Sequence, residues 1–303
     1  MRFKYTAAII CAVSTAACSD SSSEPVPVPE NDNRPGIVQA EVIDFNPAPG
    51  QFVNESPSAE NGITKSAILK TATDDINKGY LISLGAWGGN ITLRLNSPII
   101  NTPAKNDLRV LGNAFYSGTG TGGRRFGSAE PGIVYVMTDT DGNGIPDDGP
   151  WLELRAPESD GCPIVSVTYY RPENNATAEK YIRWTCSDGS EGWLNKAGIH
   201  NHDYFPLWEA DKETLTFTGR RLRDNGVYNT QADRFDLYCY SGYADSHPDS
   251  EAASELDLDN AIDPDGNPVH VQKIHFVKIV TGVLQCNGIL GECSTEVAGI
   301  ERL

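Results

Sequence analysis

The run Asn90-Ile91-Thr92-Leu93-Arg94-Leu95 alternates apolar and polar residues strictly from Ile91 to Leu95. That is the period of a strand with one buried face. Working outward, similar runs rich in branched and aromatic residues recur at 38–45, 80–84, 107–111, 133–137 and 151–155. They continue at 165–170, 181–185, 214–218, 235–240 and 269–279. Gly, Pro, Asn and Asp punctuate the gaps between them. Only residues 66–76 carry a helical pattern. Many short strands with such turns predict an all-β chain, an antiparallel β-sandwich of jelly-roll type with long loops and little helix. No period of about 20–50 residues repeats, which argues against propellers and solenoids. No linker interrupts residues 37–303, so one β-sandwich domain is expected there.

The chain has 303 residues, with 24 Lys and Arg against 41 Asp and Glu, for a net charge of −17. Apolar residues make up 39% and mean hydropathy is −0.37. Such acidity excludes a nucleic-acid binder, which needs a basic face to neutralise phosphate. The apolar content excludes wholesale disorder. No later run approaches the ~20 apolar residues of a membrane span.

Arg2 and Lys4 form a basic start, residues 5–13 are apolar, and Ser14-Thr15-Ala16-Ala17 precede Cys18. The run is too short to span a bilayer, and small residues precede the cysteine. Residues 1–17 resemble a bacterial lipoprotein signal, with Cys18 as the lipidated first mature residue; the alternative is an ordinary secretory signal cut after Ala17. Both imply export. Ser19 after the cysteine, by resemblance to bacterial sorting rules, implies the outer membrane. Acyl chains on Cys18 would then be the only membrane attachment. Residues 18–36 are rich in Ser and Pro, a tether stiffened toward polyproline II.

Export permits disulfides. Cys286 and Cys293 flank the turn-rich Asn287-Gly288-Ile289-Leu290-Gly291 and are expected to bridge. Cys162 and Cys186 bracket two strand-like runs and are expected to join neighbouring strands, leaving Cys239 over. The alternative is that all five stay reduced and partly buried. No Cys-x-x-Cys occurs, so neither a redox pair nor a zinc knuckle is indicated.

The sharpest chemical signal is Asp139-Thr140-Asp141-Gly142-Asn143-Gly144-Ile145-Pro146-Asp147-Asp148. Oxygen side chains at its first, third and fifth positions, with Gly sixth, match the start of a calcium loop. Asp139, Asp141, Asn143, Asp147 and Asp148 are the candidate ligands. Its twelfth position is Pro150 rather than a bidentate Glu, so Glu153 or a distant acid would have to complete the shell. The competing reading is an acidic hairpin turn.

A second acidic run, with Asp257, Asp259, Asp263 and Asp265, reads as turn chemistry first. His200 and His202 would share a face on a strand and could ligate a metal, although such pairs in loops are more often solvated. The Gly118–Gly123 pattern G-x-G-x-x-G leads into no helix, so it reads as a loop rather than a dinucleotide site. Arg124 and Arg125 at its tip are expected to meet the chain's own carboxylates. Tyr204 and Trp208, beside Phe205, could stack on sugar rings or a flat macrocycle; packing in the core is the competing reading. No G-x-S-x-G, H-E-x-x-H or P-loop occurs.

Several segments carry a family resemblance. They include Leu84-Gly85-Ala86-Trp87-Gly88-Gly89-Asn90-Ile91-Thr92-Leu93, Gly112-Asn113-Ala114-Phe115 and Glu130-Pro131-Gly132-Ile133-Val134-Tyr135-Val136. Trp151-Leu152-Glu153-Leu154, Phe205-Pro206-Leu207-Trp208, Phe276-Val277-Lys278 and Ser294-Thr295-Glu296-Val297 continue it. Together they resemble a family of bacterial cell-surface lipoproteins, common in Bacteroidetes and often encoded near TonB-dependent uptake systems, including those for cobalamin. The resemblance covers roughly residues 80–300. It implies a β-sandwich related to jelly-roll ligand-binding modules, with cobalamin as a ligand class and a TonB-dependent transporter as a possible partner; anchor, tether and sandwich together suit a ligand-binding module that captures a nutrient, a glycan or a cobalamin-type molecule. A calcium-dependent hydrolase or lyase on the same scaffold and a structural adhesion protein are the alternatives. A concave groove of convergent acids would favour the enzyme, and an aromatic platform would favour binding.

Overall fold

The computed structural model describes residues 35–173, 176–196 and 202–303. The signal residues 1–17, Cys18, the tether up to residue 34, and His200 lie outside them.

The alternation at 91–95 builds the core. Asn90–Ile100 is a long strand flanked on one side by Ala40–Asn46 and on the other by Lys273–Thr281, both antiparallel. Gly132–Met137, Leu152–Leu154 and Ala261–Ile262 complete this six-stranded sheet. Pairing sets whole rows side by side on one face. Phe45, Ile91, Ile279 and Val134 form one row, and Val42, Leu93, Val277 and Val136 another. All are buried in the largest apolar cluster. Burying each such side chain fully is worth roughly 1.5–3 kcal/mol. The other face carries Asp44, Thr92, Lys278, Tyr135 and Glu153 in register.

The helix Lys65–Ile76 covers the core from one side. Thr64 caps it by accepting from the Ala67 amide at 3.2 Å. Ile68, Ala72 and Ile76, spaced by four, are its buried stripe. At its end Asn77 both accepts from the Ala40 amide (2.9 Å) and donates to the Ala40 carbonyl (2.8 Å), fixing the helix to the neighbouring strand.

The chain is all-β with little helix, as the strand pattern predicts. The grouping of its strands corrects the sandwich expectation. Three four-stranded sheets accompany the six-stranded one, and together they stand as small sheets in a propeller-like ring rather than as a clear jelly roll. One runs Gly36–Val38, Gly299–Arg302, Leu108–Leu111, Glu255–Leu256; a second Glu191–Leu194, Ile182–Cys186, Ile164–Tyr170, Thr214–Arg220; a third Gly226–Asn229, Arg234–Tyr238, Arg125–Ser128, Phe115–Thr119. A short pair, Ile82–Ser83 with Glu296–Val297, lies apart from these. The sheets are unequal, and distant chain segments pair within them. No sequence period therefore marks the ring. The Gly36–Val38 sheet shares its apolar cluster with the six-stranded sheet, while a separate cluster holds Trp87, Tyr169, Tyr204 and Phe205.

The cysteine pairings are also corrected: Cys162, Cys186, Cys239, Cys286 and Cys293 are all free thiols. Cys286 bridges to Glu292, and the Cys293 amide donates to the Gln285 carbonyl at 2.9 Å. Cys293 is thus one residue off Cys286's register, which turns the two side chains to opposite faces. Cys286 instead points its thiol at Asn195 Oδ1. Cys162 and Cys186 fall in different apolar clusters.

Candidate functional site

The acidic loop joins the strands Gly132–Met137 and Leu152–Leu154. Asp139 accepts from the Gly142 amide at 2.7 Å and the Gly144 amide at 2.9 Å. Gly142 (φ +75) and Gly144 (φ +73) permit the backbone to turn back on it. Asp148 accepts from the Thr140 amide at 2.6 Å, which with the Asp141 amide holds its carboxyl below the usual range. One oxygen each of Asp139, Asp141 and Asp148 lies within 4.8 Å of the others. These three acids converge, Asp147 does not join them, and Asn143 donates to Asp141 at 3.0 Å. Asn143 is turned to the Ile145 amide at 2.6 Å, and Asp147 receives only a 3.4 Å contact from Asn143. Glu153 is no part of a shell: it is buried and paired with Arg220 at 2.9 Å. The loop therefore offers three convergent acids, on a turn already satisfied by its own amides.

The histidine and aromatic expectations resolve differently. His202 sits between the Gln51 carbonyl and Glu55, with 2.8 Å to the latter. Asp203 accepts from the Phe205 amide at 3.0 Å and the Tyr181 hydroxyl at 3.3 Å. Tyr204 and Phe205 are fully buried. Trp208 packs on the main core, 5.8 Å from the Phe45 ring. Burial takes the Tyr204 ring from solvent, so it is no ligand platform, whereas Trp208 is partly buried and packs one side of its ring on the core. Tyr204 instead supports Tyr181 edge-on, at 5.3 Å and 89°. Arg124 and Arg125 lie over the rings of Tyr238 (4.9 Å) and Tyr116 (4.1 Å), and Arg124 also acts on the Glu158 carboxyl.

Tyr181 is part of an aromatic and cationic pocket. A cavity of about 280 Å³ is lined by Tyr170, Tyr181 and Trp193, with Arg171, Lys180 and Arg183 among them. Trp193 lies on the edge strand Glu191–Leu194 opposite Arg183 and is 39% exposed. Arg183 pairs with Glu191 at 2.7 Å and lies 5.1 Å from the Tyr170 ring. Lys180 approaches the Trp193 ring at 5.9 Å, and Lys196 the Tyr181 ring at 4.6 Å. Burial and Asp203 push the Tyr181 hydroxyl up to about 12. Three rings and three cations therefore meet in one concavity of a strongly acidic chain. The sequence signal was Trp193 itself, four residues after the Gly189 turn, where polarity alternates too briefly to mark a strand.

A second cleft, of about 360 Å³, has an acidic floor of Glu130, Glu292 and Glu296, with Asn113, Ser83 and Ser294 beside them. Leu290, Ser128 and Glu130 also line an adjoining cavity of about 370 Å³ that contains Phe115 and Phe126. Behind the floor, Asp245 accepts from the amides of Asn113 (3.0 Å), Ala114 (3.0 Å) and Glu296 (2.9 Å). Gly112 is required there, since a Cβ would meet Asp245 Oδ1 at 2.6 Å. Glu130 accepts from the Ser294 amide at 2.9 Å, and its carboxyl hydrogen-bonds that of Glu296. Burial pushes Glu130 and Glu292 up to about 7, and it raises Asp245 and Glu296 well above the usual carboxyl range, through burial first and neighbouring acids second. Oxygens of Glu130, Asp245 and Glu296 lie within 4.8 Å of one another. None of these acids is marked by a motif, although Glu130 and Glu296 fall within the segments that carry the family resemblance.

No protein-family model matches this chain, and no curated protein matches it.

Proposed function

We propose that the chain is a ligand-capture module, anchored to the outer membrane by lipid on Cys18 and held off it by residues 19–36. In this reading it belongs with the cell-surface lipoproteins it resembles. It takes up a glycan or cobalamin-type nutrient and passes it to a TonB-dependent transporter. The observation that carries the reading is the pocket of Trp193, Tyr170 and Tyr181. The exposed Trp193 ring and the half-buried Tyr170 and Tyr181 rings give an apolar surface for sugar C–H faces, and the flanking cations hold oxygen substituents. That combination favours a glycan over a corrin. Calcium at Asp139, Asp141 and Asp148 stiffens the acidic hairpin in the same proposal. A jelly-roll-like pairing of the six-stranded sheet with the Gly36–Val38 sheet is our finer reading of the scaffold, supported by the apolar cluster they share.

Calorimetry of the purified chain against a glycan panel and cobalamin tests the capture reading. Binding that Trp193→Ala weakens by about tenfold or more supports it; no heat from any of these ligands overturns it. Incorporation of labelled palmitate, lost in Cys18→Ala, tests the anchor.

The hydrogen-bonded Glu130 and Glu296 favour a second reading, a hydrolase or lyase acting at the acid-floored cleft. Two contacting carboxyls that share a proton supply an acid and a base together. Their contact is closer than the ~5 Å or more between the carboxyls of a glycosidase pair, so that mechanism does not fit these two residues. Release of reducing ends or unsaturated products, abolished by Glu296→Gln, would establish it over simple capture.

A further inference from the structure

Between two of the sheets lies a third concavity, which neither reading above uses. Its volume is about 380 Å³, and its lining includes Asn90, Lys278, Val280, Lys212 and the strand segment 214–218. Thr214–Arg220 is the edge of its sheet. An edge strand has backbone N–H and C=O groups directed away from its sheet, so this wall supplies donors and acceptors in alternation. Asn90 adds an amide whose nitrogen is already committed to the Gly88 carbonyl at 2.9 Å.

Lys278 stands out in this setting. It sits on the central strand Lys273–Thr281, in the polar row between Thr92 and Tyr135. The only acid that acts on it noticeably is Asp44, which is itself paired with Lys65 at 3.2 Å. Its ammonium lies over the Trp151 ring, 5.9 Å from the centroid. Burial lowers its pKa. A partly desolvated ammonium without a close counter-ion is destabilised, and a bound anion would relieve it. The chain has 41 acidic residues with which to neutralise it, yet the described residues bring none into contact. Lys212 and Glu209, both in the lining, neutralise each other at 2.5 Å, which leaves Lys278 as the uncompensated charge there.

We infer that this cavity binds a carboxylated sugar, with Lys278 holding the carboxylate and the Thr214–Arg220 edge meeting the hydroxyls. The site is separate from the Trp193 pocket and does not depend on it. A neutral sugar would fill the same volume but leave the ammonium uncompensated.

Calorimetry of the full purified chain with D-galacturonate, its methyl ester and D-galactose tests this. Galacturonate should bind about tenfold or more tightly than the ester or galactose, as a charge-assisted contact requires. Lys278→Met should remove that preference, Lys278→Arg should keep it within about threefold, and Trp193→Ala should leave it unchanged. Equal binding of acid and ester by the unaltered chain overturns the inference, as does no binding of galacturonate. Full galacturonate affinity in a folded Lys278→Met chain overturns it as well. If Lys278→Met does not fold, the Trp193→Ala chain decides the matter: an acid-over-ester preference that survives there supports the Lys278 cavity, and one lost there overturns the inference.

Discussion

The carboxyl groups of Glu130 and Glu296 hydrogen-bond to each other at the floor of a cleft, with Asp245 behind them. Two buried carboxylates in contact repel strongly, so folding keeps protons there that the unfolded chain would release. Glu292, buried against the Gln51 amide, behaves likewise. The cluster therefore ties stability to pH.

Well below pH 4.5 Glu130 and Glu292 are neutral in both states, and their contribution to stability is fully present. As pH rises the unfolded chain ionises first, while Glu130 and Glu292 stay protonated to about 7 when folded. The folded state then binds more protons, so each group lowers stability by up to ~1.4 kcal/mol per pH unit across that window. Thermal unfolding should occur about 5 °C or more lower at pH 8 than at pH 5. Glu292→Gln should reduce the difference. A Tm that rises from pH 5 to pH 8 would contradict this assignment.

Calcium should raise Tm if Asp139, Asp141 and Asp148 bind it, because a ligand selective for the folded state stabilises it. At a hundredfold excess over Kd the gain is about 2.7 kcal/mol. Differential scanning with calcium and with chelator measures it, and Asp139→Asn together with Asp148→Asn should abolish the shift. Identical melting curves in calcium and in chelator would remove calcium from the proposal.

Trp193 and Tyr204 should separate function from folding. Trp193→Ala should lose glycan affinity and keep Tm within about 2 °C, as expected for a half-exposed side chain. Tyr204→Ala removes a fully buried ring that supports Tyr181, and should cost about 3–5 kcal/mol by denaturant unfolding. If Trp193→Ala unfolded the chain instead, the ring would be a packing element rather than a binding surface.

Thiol titration of the unfolded mature chain, without prior reduction, should find Cys162, Cys186, Cys239, Cys286 and Cys293 all reactive. Reductant should leave Tm unchanged. In the folded state Cys293 should react slowest, since burial and the surrounding acids push its thiol pKa far up. Finding three or fewer reactive thiols would restore the bridge between Cys286 and Cys293 or that between Cys162 and Cys186.

Local pattern reached most strands because alternation and turn residues act over a few positions. The helix Lys65–Ile76 and strands such as Ile164–Tyr170 and Gly132–Met137 lie within two residues of their predicted spans. Hairpin strands such as Phe115–Thr119 and Arg125–Ser128 carry no legible alternation, because Gly and Ser interrupt it. The acidic loop was legible for the same local reason: its oxygens converge within one turn.

The sequence by itself determined an all-β chain, the positions of its main strands and an acidic hairpin, because neighbouring residues settle each of these. Only tertiary structure decided how the strands divide into sheets, that Cys286 and Cys293 face apart, and that Tyr204 lies beneath Tyr181 rather than in solvent. It alone brought Glu130 to Glu296, 166 residues later, and left Lys278 beside the Thr214–Arg220 edge with no acid in contact among the described residues. Those relationships depend on strand register across distant segments, and a one-residue shift would reverse which face each side chain occupies.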